Sequence, residues 1–171
     1  MRDFDAAGPE LVSGRRLLKV DAARRVEAPA AAVWAVLADH STWTDWHEDY
    51  DEHEALTDPA HGLGARFRTK EWVLRSESEI VRWEPEVALG LMIVRGGWLR
   101  RLVRAYYSEL VIEPEGPSAC TVRYRSGFRG TWLFWLLSAY SVGQALGGIY
   151  FDSRASLRKL ERVVVARSEA G

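Results

Sequence analysis

The sequence predicts one α+β domain in which a strand and two short helices precede consecutive antiparallel strands and a long C-terminal helix. Residues 49–128 contain short runs that alternate between apolar and polar side chains, separated by turns with Gly and Pro, as is typical of strands that follow one another in an antiparallel sheet. Residues 30–38 are strong helix formers. Residues from Thr131 to about Val165 follow a second helical pattern. Strands that are grouped between helices indicate α+β rather than alternating α/β.

The chain has 171 residues, of which 47% are apolar and 27% are charged, as in an ordinary globular protein. This length suits one domain, which we place at residues 17–166, after an N-terminal extension (1–16) and before a C-terminal tail (167–171). We expect the extension to be loose, because Gly8-Pro9 breaks regular structure. It contains acidic residues and no apolar run, so we do not expect it to be a secretory signal peptide.

Charge and cysteine content argue against several classes of protein. The formal net charge of −1 lacks the basic excess of nucleic-acid-binding domains, so we expect no nucleic-acid partner. The single cysteine, Cys120, excludes an intrachain disulfide and favours the cytoplasm. No G-x-G-x-x-G, P-loop or G-x-S-x-G motif is present, so we expect no nucleotide, no other cofactor and no serine nucleophile.

The first elements have recognisable start signals. Residues 17–27 carry Leu18, Val20 and Val26 among polar and small side chains, which predicts a strand. Pro29 begins the next helix, because the first turn tolerates the missing N–H. Ser41 is a suitable N-cap for a second short helix, on which Trp43 and Trp46 share one face.

Further segments have the composition of strands, and we place them at residues 49–56, 65–74, 76–83, 87–94, 105–113 and 119–128, the last two forming a hairpin. Side chains alternate between two faces of a strand, so Glu71 shares the face of Phe67, and Ser126 shares that of Tyr124. For residues 105–113 both choices stay open. One face carries Tyr106, Ser108, Leu110 and Ile112, the other carries Tyr107, Glu109 and Val111, and either can be the inner one.

Several segments together resemble a known superfamily. They are VEAPAAAVWAVLADHSTWTDWH, GLGARFR, VRWEPEVAL and the closing SLRKLERVV, spread over roughly residues 18–166. The chain resembles the START-like (SRPBCC) superfamily, with its polyketide cyclase/dehydrase and lipid-transfer relatives. The resemblance implies a helix-grip fold, in which a curved antiparallel sheet wraps around the long C-terminal helix and two short helices close one end. A cavity remains between sheet and helix, and such pockets are mostly apolar with a few polar groups.

The resemblance and the aromatic content predict a protein that binds a hydrophobic or aromatic small molecule, lipid or polyketide-like, in this cavity. Aromatic side chains supply apolar contact area with few rotamers to immobilise. We expect the lining to comprise Phe67, Trp72, Trp83, Leu91, Tyr124, Phe128, Trp135 and Tyr140.

An enzyme of the polyketide cyclase or dehydratase type is the alternative. A buried carboxylate without a partner has a raised pKa and can act as a general acid or base. The candidates are Glu71 and Glu109, beside Tyr106, Tyr107 or Tyr124. The simpler interpretation is that both carboxylates face solvent.

A long uncharged stretch allows three interpretations. No charged residue lies between Arg129 and Asp152, a stretch long enough to cross a bilayer. We favour burial within the gripping helix. Peripheral contact with a membrane or partner through Trp132 and Trp135 is the second interpretation, and a membrane span, which would remove the cover of the sheet, is the third.

Two polar clusters have simple interpretations. The four histidines lie within residues 40–61 among acidic residues, without a recognised metal-ligand spacing, so we expect a solvated acidic edge and no metal. Arg95, Arg100, Arg101 and Arg104 form a basic cluster, which is either a solvated loop or a contact for an anionic head group.

Overall fold

The computed structural model describes the backbone of residues 4–13, 18–48, 50–71, 74–97, 101–138 and 142–170, and the side chains of these residues except 13, 18, 71, 74, 137, 138, 142–150 and 170. The strands are β1 (Leu18–Val26), β2 (Glu52–Ala55), β3 (Arg66–Glu71), β4 (Leu74–Glu84), β5 (Ala88–Arg95), β6 (Val103–Pro114) and β7 (Cys120–Gly130). The helices are α1 (Glu10–Ser13), α2 (Ala30–Ala38), a 3-10 turn (His40–Thr42), α3 (Trp43–Trp46), α4 (Trp132–Ser138) and α5 (Val142–Ala170).

The described strands form a seven-stranded antiparallel sheet in the order β1-β7-β6-β5-β4-β3-β2. The strands from β2 to β7 are neighbours in chain order because short turns join them, and β1 closes the other edge beside β7. The predicted hairpin is confirmed, with Ile112 opposite Val122. Its turn contains Gly116 at a φ of 112°, a left-handed conformation that glycine adopts without steric cost. The predicted α+β helix-grip fold is confirmed.

The concave face of the sheet packs on the long C-terminal helix. Leu157, Leu160 and Val164 of α5 are buried against β1, α2 and the central strands. They follow the helical spacing that predicted one apolar face for this part of the chain. The core therefore lies between the sheet and α5.

The two short helical segments after β1 are tied together by backbone-directed hydrogen bonds. Trp43 donates through its indole N–H to the carbonyl of Leu37 at 2.9 Å, and both Trp43 and Trp46 are 2% exposed. The expected cap at Ser41 is wrong. The side chain of Asp39 caps the 3-10 turn instead, by accepting from the backbone N–H of Ser41, because the turn begins one residue before the helix that we predicted.

Of the N-terminal extension, which we expected to be loose, the structure describes residues 4–13, and these pack on the sheet. Leu11 is fully buried, with Val12, Ala105 and Tyr107, on the convex face of the sheet. A Cβ atom at Gly127 would lie 2.1 Å from the carbonyl oxygen of Leu11. Only glycine allows the backbone of α1 to approach β7 so closely.

The uncharged stretch after Arg129 begins with α4, whose inner side is held against the sheet by Phe134. None of the helices in the described segments is long and apolar enough to cross a bilayer.

Candidate functional site

A pocket lies between α3 and the central strands on the concave face. Its empty volume is about 260 Å³, counting the part that is open to solvent. Its walls are aromatic on the α3 side and mainly aliphatic on the sheet side. The lining residues are Trp43, Trp46, His47, Tyr50, Leu89, Leu91, Ser108, Leu110 and Tyr124.

The two-residue alternation of the strands decides which side chains reach this pocket. Ser108 and Leu110 of β6 line it, and Tyr124 of β7 lies opposite Leu110 in the pair register. The choice that the sequence left open for residues 105–113 is therefore decided in favour of the face that carries Ser108. Tyr107 and Glu109 lie on the convex side.

His47, the residue that ends α3, supplies a polar group to the pocket wall. Its ring stacks on that of Tyr50, with centroids 3.7 Å apart and an angle of 6° between the planes. Its Nε2 atom lies 3.5 Å from the hydroxyl oxygen of Tyr124. These two groups can hold a polar atom of a bound molecule between them.

The pocket is electrically neutral at pH 7. Burial, with smaller contributions from His53 and Lys159, lowers the pKa of His47 from 6.5 to about 3. The imidazole is therefore uncharged, so it presents one donor and one acceptor. Tyr124 adds a hydroxyl and Ser108 another.

The expected solvated acidic edge is present in Glu52 and Glu54, which are exposed on the edge strand β2, but His53 lies on the other side of that strand. His53 is partly buried, and its ring stacks on Phe67 at 4.9 Å and lies 5.0 Å from Trp43. Burial and the neighbouring His40 lower the pKa of His53 to about 4. Among the residues that the structure describes, no three His, Cys, Asp or Glu side chains converge as metal ligands.

The predicted lining residues are spread over several environments. Leu91 and Tyr124 line the pocket. Phe67 is fully buried in the core beside Trp43. Trp83 packs edge-on against Trp34 of α2, with centroids 4.9 Å apart, because a register shift between Ile80 and Arg82 re-aims the end of β4.

The other predicted residues lie away from the pocket lining or outside the description. Phe128 belongs to a separate cluster with Phe4 and Phe134, and Trp135 is 52% exposed. Trp72 and Tyr140 lie outside the described residues, as does the side chain of Glu71, of which the structure describes only the backbone.

Sequence reasoning missed the α3 wall of the pocket, formed by Trp43, Trp46, His47 and Tyr50. The available signal was the pair of tryptophans on one helix face, which we used to close the end of the fold and not to line the cavity. The missing step was the direction in which that face packs.

Glu109, the other candidate acid, lies in a buried ion network on the convex face. It is 0% exposed, and its carboxylate lies 2.8 Å from an Arg82 nitrogen and 3.1 Å from an Arg125 nitrogen. Tyr107 donates its hydroxyl hydrogen to the same carboxylate at 2.8 Å, and burial raises the pKa of Tyr107 so that it stays protonated. The sheet separates this network from the pocket. Glu109 therefore faces neither the cavity nor solvent, because Arg82, Arg125 and Tyr107 surround its carboxylate on the convex side.

Comparison with known protein families gives a match over most of the chain. Residues 18–165 match the family model described as polyketide cyclase / dehydrase and lipid transport. The chain belongs to this family. None of the curated proteins has a significantly similar sequence.

Solved structures show the same fold at low sequence identity. A norcoclaurine synthase from Thalictrum flavum, in complex with dopamine and hydroxybenzaldehyde, has a TM-score of 0.66 and 14% identity over 95% of each chain. The Zhui aromatase/cyclase from a Streptomyces species has a TM-score of 0.69 and 17% identity over 90% of this chain and 96% of that chain. A major latex-like protein from Panax ginseng has a TM-score of 0.65 and 10% identity over 84% and 95%. These likenesses establish the helix-grip fold of this family member.

Replacing Glu109 by Gln is expected to lower the free energy of unfolding by about 2 kcal/mol, because it removes charge-assisted contacts with Arg125 and Arg82 and weakens the hydrogen bond from Tyr107, although Arg82 keeps Glu84 as a partner. Urea unfolding monitored by circular dichroism measures the change. Glu113→Gln is the matched control, since Glu113 pairs with Arg123 at the surface, where an ion pair contributes less than about 1 kcal/mol. A Glu109→Gln protein as stable as the control would contradict the structural role.

Acid is expected to destabilise the protein before its carboxylates titrate. Folding lowers the pKa of His47 from 6.5 to about 3 and that of His53 from 6.5 to about 4. Below pH 6.5 the unfolded chain therefore binds more protons than the folded chain, and the stability decreases as the pH decreases. Urea midpoints measured between pH 7.5 and pH 5 should decrease steadily. His53→Phe, which keeps the ring contacts, should flatten this dependence, and an equally steep dependence in that variant would exclude His53 as a cause.

Proposed function

We propose that the protein binds a flat, uncharged and largely apolar small molecule that carries a hydrogen-bonding oxygen, in the pocket between α3 and β5–β7. The observation that carries this proposal is the meeting of His47 and Tyr124 at an otherwise apolar wall. Aromatic and aliphatic side chains supply most of the contact area, and the neutral polar groups orient the molecule.

The volume of the pocket limits the size of the ligand. The empty space of about 260 Å³ includes the part that is open to solvent, so it is an upper limit on the room for a ligand. The enclosed part is on the order of one water molecule in size, so a molecule of one or two rings can enter only if side chains of the lining move outward. The stacked rings of His47 and Tyr50 favour a planar group beside them.

The absence of a formal charge among the nine lining residues supports an uncharged ligand. A charged molecule would lose its hydration in this pocket without gaining a counter-charge. The family description, which covers cyclisation, dehydration and lipid transport, agrees with ligands of low charge. The norcoclaurine synthase structure holds dopamine and hydroxybenzaldehyde, and of these two we extend to this chain, as part of the proposal, the chemistry of the uncharged aromatic aldehyde.

Binding of 2-naphthol and naphthalene tests the proposal with two ligands that differ by one hydroxyl. We expect 2-naphthol to bind roughly five- to tenfold more tightly, the size of one neutral hydrogen bond, in a titration that follows quenching of tryptophan fluorescence. Tyr124→Phe should remove most of that preference and leave naphthalene binding unchanged.

The control is Tyr107→Phe, which removes a tyrosine hydroxyl on the convex face, outside the pocket lining. It should bind both compounds as the unmodified protein does. Equal affinity of the unmodified protein for the two compounds, or loss of the preference in Tyr107→Phe, would contradict the role of Tyr124.

A cyclase activity is the second candidate, and the placement of His47 beside the Tyr124 hydroxyl in the pocket wall is the observation that favours it. Burial makes the His47 imidazole a weak base in the empty pocket, so it can accept a proton from the carbon between two carbonyl groups only where the enolate formed beside it, hydrogen-bonded to the Tyr124 hydroxyl, stabilises the imidazolium. The enolate carbon would form a bond to a second carbonyl carbon of the same chain, the imidazolium would return its proton to the resulting alkoxide, and the hydroxyl would then leave as water together with a proton from the neighbouring carbon. His47, not Glu109, is the base in this scheme.

Mass spectrometry of a linear triketone incubated with the protein separates the two candidates. A cyclase should yield a product lighter by one water, with a rate at least about tenfold lower in His47→Gln, the order of magnitude of general base catalysis at its lower end. Quantitative recovery of the unchanged triketone from a protein that still binds 2-naphthol would exclude cyclisation of that substrate and favour a carrier.

A further inference from the structure

An apolar surface lies on α4, at a distance from the pocket. Trp132, Trp135 and Leu136 are 73%, 52% and 66% exposed. Their spacing of three and four residues places them on one side of the helix. We call these three residues the α4 surface. Large side chains that are exposed together, and not singly, mark an interaction site.

The α4 surface is held in place by contacts on the opposite side of the helix. The ring of Phe134 packs edge-on against Phe128 of β7 with centroids 5.3 Å apart. The hydroxyl of Thr131 accepts from the backbone N–H of Phe134 at 3.2 Å and donates to the carbonyl of Arg101 at 2.6 Å. The apolar side chains are therefore presented outward by an anchored helix.

Cationic side chains flank the α4 surface. Arg101 and Arg129 are exposed, and the strand pairing and the Thr131 hydrogen bonds bring both beside the start of α4. Within the described part of the chain, neither guanidinium has a carboxylate partner. Arg104, the second residue of β6, is also exposed. One acidic residue, Asp5, lies at the same rim, because its backbone N–H donates to the carbonyl of Arg104.

We propose that the α4 surface docks on the interface of an anionic phospholipid bilayer. Tryptophan side chains favour the boundary between head groups and acyl chains, and arginines at the rim are attracted by anionic head groups. The association is peripheral, with one face of a short helix inserted and its other face still packed on the sheet. This interaction is independent of whether the pocket binds a ligand in solution.

Strand β7 connects α4 with the pocket along the concave face of the sheet. Tyr124, Ser126 and Phe128 are successive inward residues of β7, and all three are buried. Tyr124 lines the pocket and Phe128 contacts α4. The concave face therefore continues from the pocket towards the membrane-facing helix, and a hydrophobic molecule taken from the bilayer would meet that face first.

Sedimentation with vesicles tests the proposal on the full-length protein. We expect binding to vesicles of equal parts phosphatidylcholine and phosphatidylglycerol, and a partition coefficient at least about tenfold lower for Trp132→Ser combined with Trp135→Ser. Leu63→Ser is the matched control, because Leu63 is 72% exposed elsewhere on the surface, and it should sediment as the unmodified protein does.

The charge requirement has its own pair of variants. Arg101→Gln with Arg129→Gln should abolish the preference for vesicles that contain phosphatidylglycerol over pure phosphatidylcholine. Arg158→Gln with Arg162→Gln, on exposed positions of α5, should retain it. Added salt should weaken the binding of the unmodified protein, since rim charges are screened.

Three results would overturn the proposal. They are absence of vesicle binding by the unmodified protein, undiminished binding by the tryptophan variant, and sedimentation equilibrium showing a dimer that the tryptophan variant dissociates. The last result would assign the α4 surface to a second copy of the chain. Titration with 2-naphthol without vesicles checks the pocket separately, because the exposed tryptophan substitutions leave its lining intact.

Discussion

Strand β6 is buried on both faces, and the separation of the two faces by its two-residue alternation organises the rest of the molecule. Ser108 and Leu110 point into the pocket, whereas Tyr107 packs against the N-terminal segment and Glu109 is buried on the same convex side. The Glu109 carboxylate is stable away from water because arginines and a tyrosine hydroxyl surround it. A register slip of one residue would move this charge into the pocket, so the ion network and the pocket specify the same register.

The sheet thereby separates two kinds of polar chemistry. The convex face holds full charges that neutralise one another, and the concave face holds polar groups that stay uncharged. His47 belongs to the second kind, because burial, and to a smaller extent the nearby His53 and Lys159, disfavour its protonated form. A pocket of neutral donors and acceptors in apolar surroundings discriminates through hydrogen-bond geometry and shape, which is consistent with membership in a family named for cyclisation and lipid transport.

Much of the architecture could be predicted from the chain because it follows from local periodicity. The β6–β7 hairpin, the buried face of α5 and the burial of Trp43 and Trp46 agree with the spacing of apolar residues. The pocket lining was harder to predict. Alternation indicates that Phe67 points inward, but not that other aromatic rings cover it before any cavity begins. The expectation that the N-terminal extension is loose was wrong for the residues around Leu11, since their burial depends on a close approach to Gly127 in a distant strand.

The sequence by itself determined the order of the elements, the two alternating faces of each strand and the family to which the chain belongs, because these depend on neighbours along the chain. Tertiary structure alone decided which face of β6 lines the pocket, that His47 meets Tyr124, and that α4 turns its tryptophans outward. Both faces of β6 carry apolar side chains, so alternation allows two solutions of similar merit. Packing of α1 on one face and of α3 and α5 towards the other selects between them, and those contacts join residues far apart in sequence.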